Sequence, residues 1–250
     1  MEDTKSQAHP IKILGINGSP RRNNNTSIML SEAIAGAKEA GAVEVSLFEF
    51  SGKKIEGCKG SCITYCQREG KCTIPDDMQE LLDLWVPADA VLFAAPVYHM
   101  GPPGQVKCAV DRLANIQFAY LKGNLPRYNK ACAAIVQGSS RWGGQEVTIQ
   151  FLLEHFLLMN CLPVTGDMPL SYLGCAGYAP TWETDSILKD PKALETARNI
   201  GRRAAETAMI IRAGKTALAG QLPDLYFPDR IFSRRRQEAS PAGLNWQEKK

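Results

Sequence analysis

A polar loop at residues 17–27, between an apolar segment and a helical pattern, carries side chains suited to holding an anion. Ser19, Thr26 and Ser27 supply hydroxyl donors. Backbone N–H groups at a helix start are unpaired and carry a partial positive charge, so the loop attracts an anion without a central lysine. The spacing matches neither G-x-x-x-x-G-K-[ST] nor G-x-G-x-x-G. We therefore predict a monophosphate site, with an unliganded polar turn as the alternative.

A second loop, at residues 96–104, combines several prolines with an aromatic, an imidazole and a thioether side chain. The prolines fix the backbone and remove N–H donors. Tyr98, His99 and Met100 then stand at the carboxyl edge of a predicted strand, where they would form a wall for a flat ring. In the alternative interpretation, Tyr98 and Met100 pack in the core and His99 is solvated.

A third loop, at residues 137–146, is rich in glycine and again enters a helical pattern. Glycines such as Gly143 and Gly144 let the backbone approach a ligand closely, so that N–H groups could bond the polar edge of a heteroaromatic ring. His155, within the helical pattern that follows, is predicted to be a packed residue rather than a catalyst.

The chain has eight cysteines, and four of them lie close together in the segment 57–73. Cys58, Cys62, Cys66 and Cys72 follow the spacing C-x3-C-x3-C-x5-C. Such a compact run of thiols suits one centre, and an iron-sulfur cluster, zinc and thiols without metal all remain open. The x3 spacing would align the first three on one stripe of a helix. The other four, Cys108, Cys132, Cys161 and Cys175, are predicted to be buried small hydrophobes.

Strand and helix patterns alternate along the chain, which indicates a parallel sheet covered by helices on both faces. Strands are predicted near residues 11–16, 43–49, 89–95, 131–137 and 162–166, and helices near 27–41, 77–86, 103–114, 145–159 and 191–213. This alternation predicts an α/β, flavodoxin-like, doubly wound five-stranded parallel sheet. In such sheets the loops after the strands meet at one edge and bind the ligand there.

The chain is predicted to form one domain, residues 1–217, with a cysteine-rich insertion at 57–73 and an extended C-terminal arm at 218–250. In the arm, Tyr226 and Phe227 lie beside prolines without periodicity. These aromatic side chains need a cover, so we expect a homodimer or homotetramer.

Composition excludes several classes of protein. Apolar residues make up 44% and charged residues 22% of the 250 residues, and the net charge is only +3. These values are typical of a globular protein and give no sign of nucleic-acid binding. Because the apolar stretches fall short of the roughly 20 residues that span a bilayer, and the first residues do not read as a secretory signal, we expect no membrane contact and a cytoplasmic location.

Three motifs give the chain its resemblance to a known family. They are G-S-P-R-x-N-x-N-T at residues 18–26, P-V-Y-x4-P-x-Q-x-K-x3-D-R at residues 96–112, and G-G-Q-E at residues 143–146. Over residues 11–210 the chain resembles the flavodoxin-like NAD(P)H-dependent FMN reductases, and within them the iron-sulfur flavoproteins. Their cysteine motif is typically tighter, with x2 spacings.

The resemblance implies a role for each loop. The first loop should hold the FMN phosphate through Ser19, Arg21, Asn25, Thr26 and Ser27. The second should pack on the isoalloxazine through Pro96, Val97, Tyr98, His99 and Met100, and the third should line its other side through Ser139, Ser140, Gly143 and Gly144. Tyr98, His99 and Arg141 are the candidate catalytic residues, which would tune the flavin or meet the nicotinamide.

The resemblance also implies an activity. NADH or NADPH would reduce FMN, and electrons would pass to a small-molecule or protein acceptor, through a [4Fe-4S] cluster on the four clustered cysteines if one is present. The cofactor performs the chemistry and the protein orients it. Two rival hypotheses remain: a non-enzymatic flavin or iron-sulfur electron carrier or redox sensor, and a zinc-stabilised interaction module.

Overall fold

The computed structural model describes residues 9–121, 125–180 and 183–222. Within them, six parallel strands form one sheet. The strands are β1 (Ile11–Asn17), β2 (Val43–Glu49), β3 (Ala90–Pro96), β4 (Ala131–Gly138), β5 (Leu162–Val164) and β6 (Cys175–Tyr178). Five strands follow the order β2-β1-β3-β4-β5, and β6 pairs with β4. This is the doubly wound flavodoxin-like order, so the predicted fold class is confirmed.

The central strands β3 and β4 are continuous apolar segments, which favours a sheet buried on both faces. Every residue of β3 and β4 is buried, because helices cover both faces of a parallel sheet. The sixth strand was not predicted. It is only four residues long and pairs with the carboxyl-terminal half of β4, from Ile135 to Gly138, beyond the part of β4 that pairs with β5.

Six helices surround the sheet in the described residues. They are α1 (Asn25–Glu39), α2 (Ile63–Glu69), α3 (Met78–Trp85), α4 (Gly104–Tyr120), α5 (Gln145–Leu158) and α6 (Pro191–Ala217), with a 3-10 helix at Ser186–Lys189. Apolar residues of α3, α4 and α5 pack on one face of the sheet, and those of α1 and α6 pack on the other. The five predicted helices are present, whereas α2, inside the cysteine-rich segment, was not predicted.

Helices α1 and α6 approach each other closely through two glycines. A Cβ on Gly36 would lie 1.8 Å from the carbonyl oxygen of Arg198, and one on Gly201 would lie 1.9 Å from that of Ala33. The Arg198 side chain pairs with the carboxylates of Glu32 and Glu39 on α1. The helix pair therefore combines backbone contact with ion pairs at its rim.

Lys130, just before β4, is a buried cation that fixes the end of α3. Its Nζ donates hydrogen bonds to the carbonyl oxygens of Trp85, at 2.8 Å, and Ala88, at 3.0 Å. Burial lowers the pKa of Lys130. The helix end thus gains the donors that its last carbonyl groups need.

Three of the four scattered cysteines are buried as predicted. Cys132, Cys161 and Cys175 lie in the core, and Cys108 is half-buried against it. Among the described residues, no helix is both long and apolar enough to cross a membrane. Residues 223–250 of the predicted arm, and residues 1–8, lie outside the described residues.

Candidate functional site

A cavity of about 540 Å³ opens at the carboxyl edge of β1, β3 and β4, where the three polar loops meet. Its volume is within the usual range for small-molecule sites. The lining residues are Arg21, Asn25, Pro96, Val97, Tyr98, His99, Met100, Gln137, Gly138, Ser139, Ser140, Gly143 and Ala179. The structure thus brings together residues from all three predicted loops.

The first loop is organised by Asn24, which sequence reasoning missed. Its side chain accepts hydrogen bonds from the N–H groups of Thr26, at 2.9 Å, and Ser27, at 3.4 Å, while Ser27 Oγ accepts from the Asn24 N–H at 2.9 Å. In this reciprocal capping box, Asn24 accepts from the N–H groups of Thr26 and Ser27, which the sequence pattern predicts to face an anion. An asparagine three residues before a serine at a helix start was the available signal.

The predicted phosphate residues therefore divide into two groups. Arg21 is exposed and lines the cavity. Asn25 also lines it, but its amide is committed, donating to the Glu183 carbonyl oxygen at 2.9 Å and accepting from the Ile187 N–H at 3.0 Å. Ser19, Thr26 and Ser27 are outside the set of lining residues. They hold the loop together; for example, Ser19 Oγ accepts from Asn24 Nδ2 at 2.8 Å.

The second loop forms a tight turn at residues 98–101. The Tyr98 N–H donates to the Gly101 carbonyl oxygen at 2.7 Å, and the Gly101 N–H donates back at 3.1 Å. His99 and Met100 have φ angles of 45° and 65°, a left-handed conformation that strains non-glycine residues. Tyr98 is 41% and Met100 52% exposed, so neither packs in the core. The turn therefore presents these side chains at the cavity.

The third loop closes against this turn. Gly144 has a φ of 101°, and a Cβ at this position would lie 2.7 Å from the Cα of Met100. Gln145 fixes the loop from behind, because its side chain accepts from the Gly143 N–H at 3.1 Å and donates to the Ser140 carbonyl oxygen at 2.6 Å. Glycine at 144 lets the two loops form adjoining walls.

Arg141, a predicted catalytic residue, and Gly144 lie at a neighbouring cavity of about 250 Å³. Met100 lines both cavities. The Arg141 guanidinium stands 5.9 Å from the centre of the Tyr178 ring, and the adjacent Trp142 is 88% exposed. Arg141 thus lines a different cavity from Tyr98 and His99.

The four clustered cysteines line one small cavity of about 90 Å³, between the 57–73 segment and α4. Cys62, the N-cap of α2, and Cys66 lie one turn apart, but Cys58 precedes the helix, so the predicted stripe contains two of the three cysteines. The Cys66 thiol donates to the Ile63 carbonyl oxygen at 3.3 Å, and Cys62 Sγ accepts from Thr73 Oγ1 at 3.3 Å. Within the described residues, no three histidine, cysteine or acidic side chains converge closely enough to hold a metal ion.

A buried ion pair joins the two ends of the cysteine segment. Arg112 on α4 makes a bidentate contact with Asp76, with N–O distances of 2.5 and 2.8 Å, and also donates to the Glu56 carbonyl oxygen at 3.0 Å. Burial alone would raise the pKa of Asp76, but hydrogen bonds from Arg112 and from the backbone at Glu56 and Met78 lower it. Burial opposes the charge on Arg112, whose pKa is nevertheless raised by the Asp76 carboxylate and the nearby Cys72 thiol.

Three further cavity residues were missed by sequence reasoning: Gln137, Gly138 and Ala179. Gln137, at the end of β4, donates to Thr26 Oγ1 at 3.3 Å and so connects the first and third loops. A polar residue that ends an otherwise apolar strand was the available signal. Ala179 enters from the end of β6, and no feature of the sequence marked it.

The comparisons with known proteins show the family of the chain. Residues 11–170 match the family model described as NADPH-dependent FMN reductase. An iron-sulfur flavoprotein from Methanocaldococcus jannaschii is 33% identical over 202 residues, which cover 81% of this chain and all of that relative.

Two solved structures show the same architecture. A flavone reductase is 25% identical with a TM-score of 0.59, covering 81% of this chain, and the chain spans 64% of that protein. A flavodoxin, WrbA-like protein from Agrobacterium tumefaciens has a TM-score of 0.51 at 19% identity, covering 80% of this chain and 98% of that one. The second likeness supports the flavodoxin-like fold alone.

Proposed function

Because the chain belongs to the NADPH-dependent FMN reductase family, and within it to the iron-sulfur flavoproteins, it is an FMN-dependent oxidoreductase, for which we propose NADH or NADPH as the electron donor. A small molecule or a protein is the proposed acceptor. The observation that carries the proposal is the 540 Å³ cavity, where one exposed arginine and two adjoining loop walls converge at the switch point of the sheet.

In this proposal, the loops orient FMN by its two chemically different ends. Arg21 pairs with the phosphate, because a guanidinium suits phosphate oxygens in charge and shape. The walls at residues 96–100 and 138–143 enclose the ring system, with Ser139 and Ser140 at its polar edge. When bound, FMN supplies the capacity to accept a hydride and to release electrons singly or in pairs.

The exposed side of the second loop is the proposed meeting place for the nicotinamide. Tyr98 and Met100 are half-exposed there, and Met100 leads into the neighbouring cavity with Arg141 and Trp142. Arg141 offers a charge for a phosphate group of the dinucleotide, and Trp142 an open face for stacking. These residues bind and orient the donor and exclude water from one side, and no proton transfer is assigned to them.

Cys58, Cys62, Cys66 and Cys72 are the proposed holders of a [4Fe-4S] cluster. Two observations fit this group: four soft sulfur donors line one cavity, and a buried cation borders the same cavity. The thiols must draw together to bind it, since their described positions do not converge. A zinc ion or thiols without metal are the alternative outcomes of iron, sulfide and zinc analysis.

The phosphate contact gives the proposal a sharp test. Replacing Arg21 with glutamine removes a charge-assisted hydrogen bond worth about 1.5–3 kcal/mol, so FMN affinity should fall roughly 10- to 100-fold. Riboflavin, which has no phosphate, should bind the variant and the wild type equally. Calorimetric titration of the flavin-free protein measures both affinities.

Arg22→Gln is the matched control, because Arg22 is also exposed but lies beside Gly52 and is not among the lining residues. It should keep wild-type affinity for FMN. Equal losses for FMN and riboflavin, or equal losses in both arginine variants, would contradict the assigned phosphate site. Steady-state oxidation of NADH or NADPH then separates an enzyme from an electron carrier, which would show almost none.

A further inference from the structure

Arg112 has an unused hydrogen-bond donor in the wall of the cysteine cavity. The residue is 2% exposed and lines this cavity together with all four clustered cysteines. Its two Nη atoms are engaged by Asp76 and the Glu56 carbonyl oxygen. Its Nε, by contrast, is buried and makes no hydrogen bond of ordinary geometry among the described residues, although the Cys72 thiol is near enough to the guanidinium to raise its pKa.

A buried N–H donor without an acceptor is energetically unfavourable, so we expect an acceptor close to Arg112 Nε. A buried N–H without an acceptor costs about 1–3 kcal/mol, and more when the group is charged, so folded proteins rarely retain one. The Asp76 carboxylate already occupies the Nη side of the guanidinium. The remaining N–H therefore suits an acceptor inside the cavity, and thiolate or sulfide sulfur is the acceptor that the four cysteines would place there.

The ion pair also holds this donor in a fixed position. Arg112 reaches the Glu56 carbonyl oxygen, two residues before Cys58, and Asp76 accepts from the Glu56 N–H at 2.8 Å and the Met78 N–H at 3.3 Å. The pair thus fastens the start and the end of the segment that carries the cysteines. A donor held so rigidly loses little entropy when it makes one more hydrogen bond.

We infer that Arg112 is a positioning residue whose Nε donates a hydrogen bond to a sulfur of the iron-sulfur cluster held by the four cysteines, and thereby raises the cluster's reduction potential. The inference rests on the cluster in the proposed function. A cluster on four thiolates is anionic, and reduction adds one electron with no bond made or broken. Hydrogen bonds to sulfur and nearby positive charge favour the more negative, reduced state.

Two variants of the full-length protein, purified without oxygen and carrying FMN and iron, test the inference. Arg112→Lys keeps the charge but loses the Nε donor. Arg112→Met combined with Asp76→Asn removes the pair without leaving a buried charge unpaired, which guards against simple unfolding. In an anaerobic redox titration, we expect both variants to reduce at a more negative potential, by roughly the 59 mV that corresponds to a tenfold change for one electron.

Lys107→Gln is the matched control for charge, because Lys107 lies on the same helix but is exposed and pairs with Asp111. Its potential should equal that of the wild type. A second measurement detects the hydrogen bond directly: with ¹⁵N-labelled arginine, pulsed electron paramagnetic resonance of the reduced protein should show a weak ¹⁵N coupling that is absent in Arg112→Lys.

The remaining outcomes would overturn the inference. An unchanged potential in variants that keep wild-type iron and sulfide would mean that Nε pairs with water rather than sulfur. Loss of iron from both variants, with FMN still bound, would make Arg112 a packing residue for the segment and not a donor to sulfur. Absence of iron from the wild type would overturn the inference together with the proposed cluster, while FMN binding and NAD(P)H oxidation would still stand as separate results.

Discussion

His155 on α5 is a histidine in the hydrophobic core. It is 3% exposed, packs beside Trp85 with ring centres 5.7 Å apart, and neither ring nitrogen has a hydrogen-bond partner among the described residues. Burial lowers the pKa of His155 to about 4. The residue is thus a packed side chain, as the helical pattern predicts, and it is neutral at physiological pH.

The depressed pKa of His155 makes stability depend on pH. In the unfolded chain His155 has a pKa of about 6.5 and binds a proton below that pH, whereas in the folded chain it binds the proton only below about pH 4. The free energy of unfolding therefore falls as pH drops through this window, by roughly 3 kcal/mol from this residue. His155→Leu should remove that part of the decline, as urea denaturation at a series of pH values would show.

His9→Gln provides the comparison, since it removes a histidine whose side chain is exposed and keeps the buried His155, so the decline in stability should persist. At pH 7, leucine at 155 should be at least as stable as histidine, because it leaves no buried nitrogen unpaired. A pH profile of the leucine variant that runs parallel to the wild type would disprove the assigned burial effect.

Residue chemistry was only partly readable from the sequence. The sequence places the loops with Arg21 and Tyr98 at one edge of the sheet, because loops after parallel strands meet there, and both residues line the cavity. Their roles toward FMN came from the family resemblance and stay predictions. The sequence did not show which residues of the first loop face the cavity and which hold the loop together, because this depends on which side chains pair with one another. Asn24 caps the helix through contacts within residues 24–27, which have a local sequence signal, whereas Asn25 contacts the 183–187 segment, which only the tertiary structure reveals.

At the scale of elements, the contact between α1 and α6 depends on Gly36 and Gly201, where a side chain has no room. Gly201 stands against the backbone of Ala33, whereas Gly214, on the same helix, has no atom within 4 Å of the place where a Cβ would lie. Alanine favours a helix over glycine by about 1 kcal/mol. The two glycines of α6 therefore separate intrinsic helix preference from helix packing.

Gly201→Ala should destabilise the protein by about 1–3 kcal/mol despite that preference, because the helices must move apart to admit the methyl group. Gly214→Ala should instead be stabilising by up to about 1 kcal/mol. Urea denaturation of both variants gives the two free energies of unfolding. A Gly201→Ala variant as stable as the wild type would mean that α1 and α6 do not pack this closely.

The elements themselves were largely predictable, and the exceptions have physical reasons. The central strands form continuous apolar runs, so their bounds agree with the structure to within one residue. Helix α2 has few apolar residues at helical spacing and packs against α4, a contact that a sequence pattern does not reveal. Strand β6 is too short to give a periodic signal and forms because it can pair with the half of β4 that β5 does not pair with.

At the scale of the whole molecule, two chemically different sites lie near the two ends of one connection: the cavity at the carboxyl edge of the sheet, and the cysteine cavity beside α4. The turn at residues 98–101 leads into α4, whose Arg112 lies on the wall of the cysteine cavity. One helix therefore connects the proposed flavin site with the proposed cluster site. The expected homodimer or homotetramer stays a prediction, since residues 223–250 of the arm that would support it lie outside the described residues.

The most direct test of the central claim is anaerobic reduction of the FMN-loaded protein by NADH or NADPH in a single turnover. We expect one FMN bound for each chain and rapid loss of the flavin's visible absorption, slowed at low FMN concentrations in Arg21→Gln but not in Arg22→Gln. A protein that takes up no FMN tightly, or whose bound FMN is reduced by dithionite but by neither nicotinamide nucleotide, would contradict the account.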